Sequence, residues 1–200
     1  MLTGFGPFLI YETNPSGEIA KKLDGRTIGG AKVVGRVLPV KHRESAEELG
    51  RLIREEKPDV VIATGLANQR GCVALERVAL NAYYFAGPQE EADEPLYKDE
   101  REAYFSTLPL KKIKAALTGI GIPAEYSFWP DTFVSNEVFY EVMRLAFKLK
   151  IKRAGYIHLP IDSKQLIGAK IHYMTRLAAP SMSGEMLEKA VRTAIEESVK

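Results

Sequence analysis

The sequence predicts a single α/β domain over residues 1–200, an α/β/α sandwich around a central, mostly parallel twisted sheet. Short segments rich in β-branched residues alternate with longer charged segments of helical character, which is the pattern of a parallel sheet. The chain has 200 residues, of which 46% are hydrophobic and 27% charged, so it can bury one α/β core. No internal repeat divides it into further units.

The first half of the chain contains two predicted buried strands, over residues 31–40 and 59–65, separated by a charged helix over residues 43–57. Residues 72–81 alternate as a further strand. Residues 89–102 are acidic and poor in strand formers, so we interpret them as a surface excursion rather than a domain boundary.

The second half is predicted to continue the alternation. Apolar residues recur at helical spacing before the last strand and again near the C-terminus, where Ser183 is a suitable N-cap. The predicted elements are a helix over residues 110–117, a strand over 124–128, a helix over 136–150, a strand over 153–159 and a helix over 183–198.

Composition excludes several classes of function. The net charge is only +2 and the charges are interspersed, so no basic stripe predicts binding of nucleic acid. No apolar run approaches the ~18 residues that span a bilayer, and the N-terminus lacks signal-peptide features, so we predict no membrane association and a cytoplasmic location. The single Cys72 cannot form an internal disulfide, which fits a reducing compartment.

Three polar residues lie where a parallel sheet places chemistry. Ser135 precedes a predicted helix, whose N-terminus offers free amide donors to a developing negative charge. His158 ends a predicted strand and could act as a general base, with Glu76 orienting its ring. Taken separately, each has a plainer explanation: an N-cap serine, a hydrogen-bonded core histidine, and a glutamate in a surface ion pair with Arg77.

The order of several motifs resembles one known family. The chain carries GLA at residues 65–67, LERVALN at 75–81, VSN at 134–136 and GYIHLP at 155–160. These segments occur in the order found in pyroglutamyl peptidase I, and the likeness extends from residues 3–8 to 180–182. The resemblance implies a cysteine-type exopeptidase that removes an N-terminal pyroglutamyl residue from peptides. The implied partner is a small peptide or lactam substrate. It also implies a cytosolic homotetramer that needs no metal and no organic cofactor.

The resemblance also assigns positions in the site. Ser135 matches the family's catalytic cysteine, and Phe5 and Phe8 match the aromatic walls around the lactam ring. By resemblance, the catalytic positions are Glu76, Ser135 and His158, and the substrate-binding positions are Phe5, Phe8, Phe133 and Val134.

Several positions depart from the family pattern. Ser135 replaces a thiol with a hydroxyl, which must lose its proton as it attacks. Ala86 corresponds to an arginine of the family's active site, and Gly87 to a bulky aliphatic residue of the pocket wall. Cys72 is no substitute nucleophile, because four steps along an extended strand would place its backbone about 13 Å from that of Glu76. We therefore expect weak or lost activity.

Three interpretations remain open from the sequence. The chain could be a peptidase of this family, either a natural enzyme that uses Ser135 or a serine variant of an active protein. It could be a non-catalytic homologue that binds a peptide end or a small lactam. It could also be a hydrolase whose pocket, widened at Ala86 and Gly87, admits a larger substrate.

Overall fold

A six-stranded sheet forms the centre of the computed structural model, which describes residues 1–7, 11–83, 95–166 and 180–200. In spatial order, the first four strands are parallel, whereas the fifth runs antiparallel to the fourth and parallel to the sixth. The predicted α/β class and mostly parallel sheet are confirmed. In spatial order the strands are Gly35–Leu38 (β4), Leu2–Phe5 (β1), Val60–Leu66 (β5), Arg153–Leu159 (β10), Val73–Glu76 (β6) and Ala124–Ser127 (β9).

Helices cover both faces of the sheet. Successive strand residues point to opposite faces, so Ile62 and Ile157 join one apolar cluster while Ala63 and Tyr156 join the other. The first cluster includes residues of the first, third and fifth helices, and the second includes residues of the second and fourth. The helices are Pro15–Leu23 (α1), Glu44–Glu56 (α2), Leu110–Gly119 (α3), Val134–Leu149 (α4) and Gly184–Val199 (α5).

Shorter elements complete the described part of the chain. Two antiparallel pairs and one parallel pair lie outside the main sheet. They are Thr27–Ile28 (β2) with Ala31–Lys32 (β3), Val78–Leu80 (β7) with Ala103–Phe105 (β8), and Ile161–Asp162 (β11) with Ser181–Met182 (β12), followed after β11 by a 3₁₀ helix over Ser163–Leu166. No described helix combines the length and apolar character needed to cross a membrane.

Two predicted strands are each divided in two. The segment 31–40 forms β3, which pairs with β2, and then β4, which pairs with β1. The segment 72–81 breaks at Arg77, whose amide donates to the carbonyl of Ser127 at 2.7 Å before β7 leaves to pair with β8. The prediction of one continuous strand was wrong for both segments. Each half pairs with a different strand, and the local sequence pattern does not reveal the partner.

Helix α1 is absent from the predicted elements, although its start carries a clear signal. Asn14 caps the helix by accepting a hydrogen bond from the Ser16 amide at 3.1 Å, and Pro15 follows in the first turn. Helix α4 begins at Val134, two residues before the predicted start, and this shift changes the setting of Ser135.

Candidate active site

Glu76 and His158 meet across neighbouring strands of the sheet. His158 on β10 pairs with Ala74 on β6, so Glu76, two residues further along, points to the same face. The His158 Nδ1 lies 2.8 Å from Glu76 Oε1, with the two residues 5% and 0% exposed. A buried carboxylate beside Nδ1 favours the tautomer that carries its proton there, which leaves Nε2 as an acceptor. This buried pair is unlike the surface ion pair that Glu76 alone would have suggested.

Arg70 supports Glu76 from the far side of this pair. An Arg70 guanidinium nitrogen lies 3.6 Å from Glu76 Oε1, and the same nitrogen donates to Ser127 Oγ at 3.0 Å and to the Trp129 carbonyl at 3.1 Å. A second nitrogen donates to Glu125 at 2.9 Å. Arg70 thus ties Glu76 to the end of β9. It has no place among the predicted site residues, and its only signal in the sequence was its position shortly after the GLA motif.

Ser135 is the second residue of α4 rather than its N-cap. Phe133 occupies the N-cap position and makes no side-chain capping hydrogen bond. The plainer explanation of Ser135 as a capping serine is therefore wrong. Its place in the first turn still puts it among the amide groups that lack intrahelical acceptors. The side chain is half-buried, so it retains access from outside.

Gly65 connects Ser135 to the strand that carries His158. Gly65 pairs with His158 in the parallel register of β5 and β10, where neighbouring backbones lie about 4.8 Å apart. A methyl group placed on Gly65 would lie 3.4 Å from Ser135 Oγ. Ser135 therefore sits over the sheet face from which the side chains of His158 and Glu76 project. The structure brings the three predicted catalytic residues to one face of the sheet.

A small cavity opens beside Ser135. Its volume is about 30 Å³, which leaves room only for water-sized groups, so a lactam ring would enter only if the walls moved outward. The polar Asn14 in its wall uses its amide group on Gly6 and Ser16. The lining residues are Phe5, Asn14, Val40, Leu66, Phe133, Val134 and Ser135.

The predicted substrate-binding residues are only partly covered by the structure. Phe5, Phe133 and Val134 line the cavity, whereas Phe8, Ala86 and Gly87 lie outside the described residues. A much larger surface groove of about 850 Å³ lies at the opposite end of the strands, near Val60, and touches none of the predicted site residues.

Tyr156 is a further residue of this site that the sequence patterns did not single out. It lies on the same face of β10 as His158, with ring centroids 4.8 Å apart. Its hydroxyl is buried and has no hydrogen bond of ordinary geometry within the described part of the chain. Burial raises the pKa of Tyr156; the nearby Ser135 hydroxyl opposes this rise and the charge of Glu76 adds to it.

A second histidine–glutamate pair lies on another side of α4. His42 Nδ1 is 3.1 Å from the buried Glu137 Oε2, and Glu137 also accepts from the Arg43 amide at 2.9 Å. Burial raises the pKa of Glu137, and His42 opposes that rise. The His42 ring stacks on Tyr83 at 3.6 Å, so this histidine is not the plain surface residue that its lack of a motif would suggest. His42 lines none of the cavity beside Ser135.

Metal ligation has no evident place in the described ranges. No group of three or more histidine, cysteine, aspartate or glutamate side chains there is arranged to hold an ion.

Sequence comparison connects this arrangement to known proteins. A family model described as pyroglutamyl peptidase matches residues 1–200. The pyrrolidone-carboxylate peptidase of Pyrococcus furiosus is 42% identical over 201 residues, covering 98% of this chain and 95% of the relative. That of Chromobacterium violaceum is 42% identical over 171 residues, covering 84% and 80%.

Solved structures agree with the sequence comparison. A variant of the Pyrococcus furiosus pyrrolidone carboxyl peptidase superposes with a TM-score of 0.91 at 41% identity, covering 99% of this chain and 96% of the other. The Thermococcus litoralis enzyme gives a TM-score of 0.90 at 34% identity, covering 99% and 91%. The fold and these relatives define the chain as an α/β protein of the peptidase class of hydrolases. It belongs to the pyroglutamyl peptidase family.

Proposed function

We propose that this protein removes N-terminal pyroglutamyl residues from small peptides, with Ser135 as nucleophile, His158 as general base and Glu76 as the group that orients His158. The observation that carries this proposal is the buried 2.8 Å contact between His158 Nδ1 and Glu76 Oε1 on the sheet face that Ser135 overlies. Family membership supports the substrate class, because the relatives are named for pyrrolidone-carboxylate hydrolysis.

The proposed reaction is acyl transfer in two steps. Ser135 Oγ attacks the carbonyl carbon that joins the lactam to the next residue, and His158 Nε2 takes the hydroxyl proton. His158 then protonates the departing amine, and water hydrolyses the ester left on Ser135. Amide groups at the start of α4 would stabilise the oxyanion, because they have no acceptor within the helix.

Ser135 takes the place that the family resemblance gives to a cysteine, and this sets the expected rate. A thiol beside a histidine ionises readily, whereas a hydroxyl stays protonated until it attacks. We therefore propose slow hydrolysis that Ser135→Cys would increase. Ala86, in the place of an arginine, would further limit the rate, so recovery in that variant should be partial.

The apolar walls fit a neutral lactam. Phe5, Phe133 and Val134 line the cavity beside Ser135, and we propose Phe8 as a further aromatic wall. Aromatic faces and a few backbone hydrogen bonds suit an uncharged ring of this kind. No metal or organic cofactor enters the proposed reaction.

We also propose that the protein acts as a single-domain, cytoplasmic homotetramer, as the family resemblance implies. Light scattering tests the assembly directly, and a strictly monomeric mass would contradict it.

A chromogenic pyroglutamyl amide tests the proposed function. His158→Gln and Glu76→Gln should each reduce the slow turnover to background, the first because the general base is lost and the second because the imidazole loses its orienting carboxylate. His42→Gln is the matched control: it breaks an equivalent pair with a buried glutamate, Glu137, but lines none of the cavity. It should retain most of the activity.

Three results would contradict the proposed function. Turnover that survives Ser135→Ala would remove Ser135 as the nucleophile. Binding of a pyroglutamyl peptide with no turnover by the unmodified chain would favour the non-catalytic homologue. Turnover of a bulkier acyl amide in preference to the pyroglutamyl amide would favour the hydrolase of altered substrate.

A further inference from the structure

We infer that Tyr156 is a positioning residue for Ser135. In the reactive arrangement the Tyr156 phenol donates a hydrogen bond to Ser135 Oγ. This inference rests on the proposed role of Ser135 as a nucleophile. It gives a role to the buried Tyr156 hydroxyl, which takes no part in the contact between Glu76 and His158 and does not line the cavity.

The Tyr156 hydroxyl is an unpaired group in a tightly packed place. Tyr156 is 0% exposed, and its oxygen has no hydrogen-bond partner in the described ranges. Burying a hydroxyl without a partner is unfavourable, and a phenylalanine would fill the same space without that penalty. The ring packs against Phe139 at 5.7 Å and against His158 at 4.8 Å, so its position is fixed by apolar and aromatic contacts.

Gly65 makes the space in which the two hydroxyls approach. A methyl group on Gly65 would lie 2.0 Å from Tyr156 Oη, far inside contact distance, and 3.4 Å from Ser135 Oγ. The phenol therefore occupies the volume that any larger residue at position 65 would need, directly beside the Ser135 side chain. Gly65 is also the register partner of His158, and the His158 ring lies 4.8 Å from the Tyr156 ring, so the phenol, the serine and the histidine are neighbours on one face of the sheet.

The direction of the hydrogen bond follows from the protonation of the phenol. Burial and the negative charge of Glu76 raise the pKa of Tyr156, so it keeps its proton at neutral pH and acts as a donor. Ser135 Oγ then accepts from Tyr156, and its own proton is free to point to His158 Nε2. A donor aimed at Oγ also stabilises the negative charge that develops on it when His158 takes the proton.

This support should matter for an oxygen nucleophile and much less for a sulfur nucleophile. A serine hydroxyl must become an alkoxide during attack, whereas a thiol can ionise beforehand beside His158. The dependence on the Tyr156 hydroxyl should therefore disappear when Ser135 is replaced by cysteine. Such specificity separates positioning from a purely structural role.

A cycle of four proteins tests the inference: the unmodified chain, Tyr156→Phe, Ser135→Cys and the double variant. The probe is a fluorophosphonate for the serine proteins and iodoacetamide for the cysteine proteins, with the modified residue identified by mass spectrometry. In the fluorophosphonate reaction Ser135 Oγ bonds to phosphorus, fluoride leaves, and His158 takes the proton. Labelling and pyroglutamyl amide hydrolysis are measured in parallel, together with the melting temperature.

Tyr156→Phe should slow labelling of Ser135 by about tenfold to a hundredfold, the range expected for one lost hydrogen bond to a developing charge. In the Ser135→Cys background the same change should alter labelling by less than about threefold. The melting temperature should stay the same or rise, because removing the Tyr156 hydroxyl leaves no other buried group without its hydrogen bond.

Other outcomes would overturn the inference. Equal effects of Tyr156→Phe on serine and cysteine labelling would indicate a structural role only. Unchanged serine labelling, or no labelling of the unmodified chain, would remove the support for Ser135 altogether. Tyrosine-dependent labelling without pyroglutamyl hydrolysis would leave the inference standing and contradict the proposed function.

Discussion

Glu76 is fully buried, yet only one of its carboxylate oxygens has described partners. Oε1 contacts His158 and, at 3.6 Å, Arg70, whereas Oε2 has no hydrogen-bond partner within the described residues. A buried carboxylate with so few contacts depends strongly on the nearest cation. We therefore regard Arg70 as the residue that makes the buried charge of Glu76 tolerable.

Arg70→Met should destabilise the fold by about 1–3 kcal/mol, because it leaves Glu76 without a cation and removes the donor from Ser127 and from the Trp129 carbonyl. Urea unfolding would measure the change. Arg51→Met is the control: Arg51 contacts Glu48 and Glu55 on an exposed helix face, so its loss should leave stability unchanged. Equal destabilisation by both variants would contradict this view of Arg70.

The sequence motifs singled out Glu76, Ser135 and His158 as candidate site residues, but they did not reveal Arg70 or Tyr156. Motif order along the chain is a one-dimensional signal, and it finds residues whose surroundings repeat within a family. The contact of Tyr156 with Ser135 depends on the register of β5 against β10 and on the absence of a side chain at Gly65. Such long-range packing has no local pattern, so only the structure could provide it.

At the scale of elements, α2 and α4 both end on a lysine in the left-handed conformation. Lys57 has φ 46° and ψ 56°, and Lys150 has φ 58° and ψ 35°. The amide of each bonds back to the helix carbonyl four residues earlier, which satisfies one of the free acceptors. A residue with a Cβ pays for this conformation in steric strain, and glycine avoids that strain.

Lys150→Gly and Lys57→Gly should each stabilise the protein by about 0.5–1 kcal/mol. This is the steric strain removed by glycine, reduced by the entropy that a glycine adds to the unfolded chain. Thermal unfolding would detect the increase. Ala115→Gly is the contrasting control, because Ala115 is an exposed residue in the middle of α3, where glycine should cost about 1 kcal/mol. Destabilisation by all three substitutions would show that strain at the helix ends is negligible.

Element types were easier to predict than element partners. The helices α2, α3, α4 and α5 and the strands β5, β9 and β10 follow from local periodicity and composition. The divided segments at β3 and β4 and at β6 and β7 could not be predicted in the same way. Their breaks arise because each half pairs with a different strand, and partner choice is a property of the whole sheet.

At the scale of the whole molecule, the layer that contains α4 is rich in buried phenols. Tyr140 and Tyr156 are 0% exposed, and the Tyr97 and Tyr104 rings lie 5.8 and 5.2 Å from the Tyr140 ring. Burial raises the pKa of all four above the ordinary tyrosine value of 10.0. The folded state therefore holds protons that the unfolded state releases in alkali.

The contribution of these tyrosines to the free energy of unfolding should be constant below pH 10.0. It should fall as the pH rises above 10.0, since these tyrosines then ionise only in the unfolded chain. Each such tyrosine contributes at most about 1.4 kcal/mol per pH unit. Urea unfolding between pH 8 and 11 would measure the slope. Tyr140→Phe should reduce the slope, because it removes one of the buried phenols. A flat profile above pH 10.0 would contradict the prediction.

The chain contains one tryptophan, and its location gives the protein a built-in optical reporter. Trp129 is 60% exposed, and its carbonyl is held by Arg70, while Phe133, four residues further on, lines the small cavity. Because that cavity must widen to admit a ring, an entering ligand should push Phe133 outward and displace the short connection to Trp129. Occupancy should then be visible as a change in intrinsic fluorescence, without a label and without any turnover.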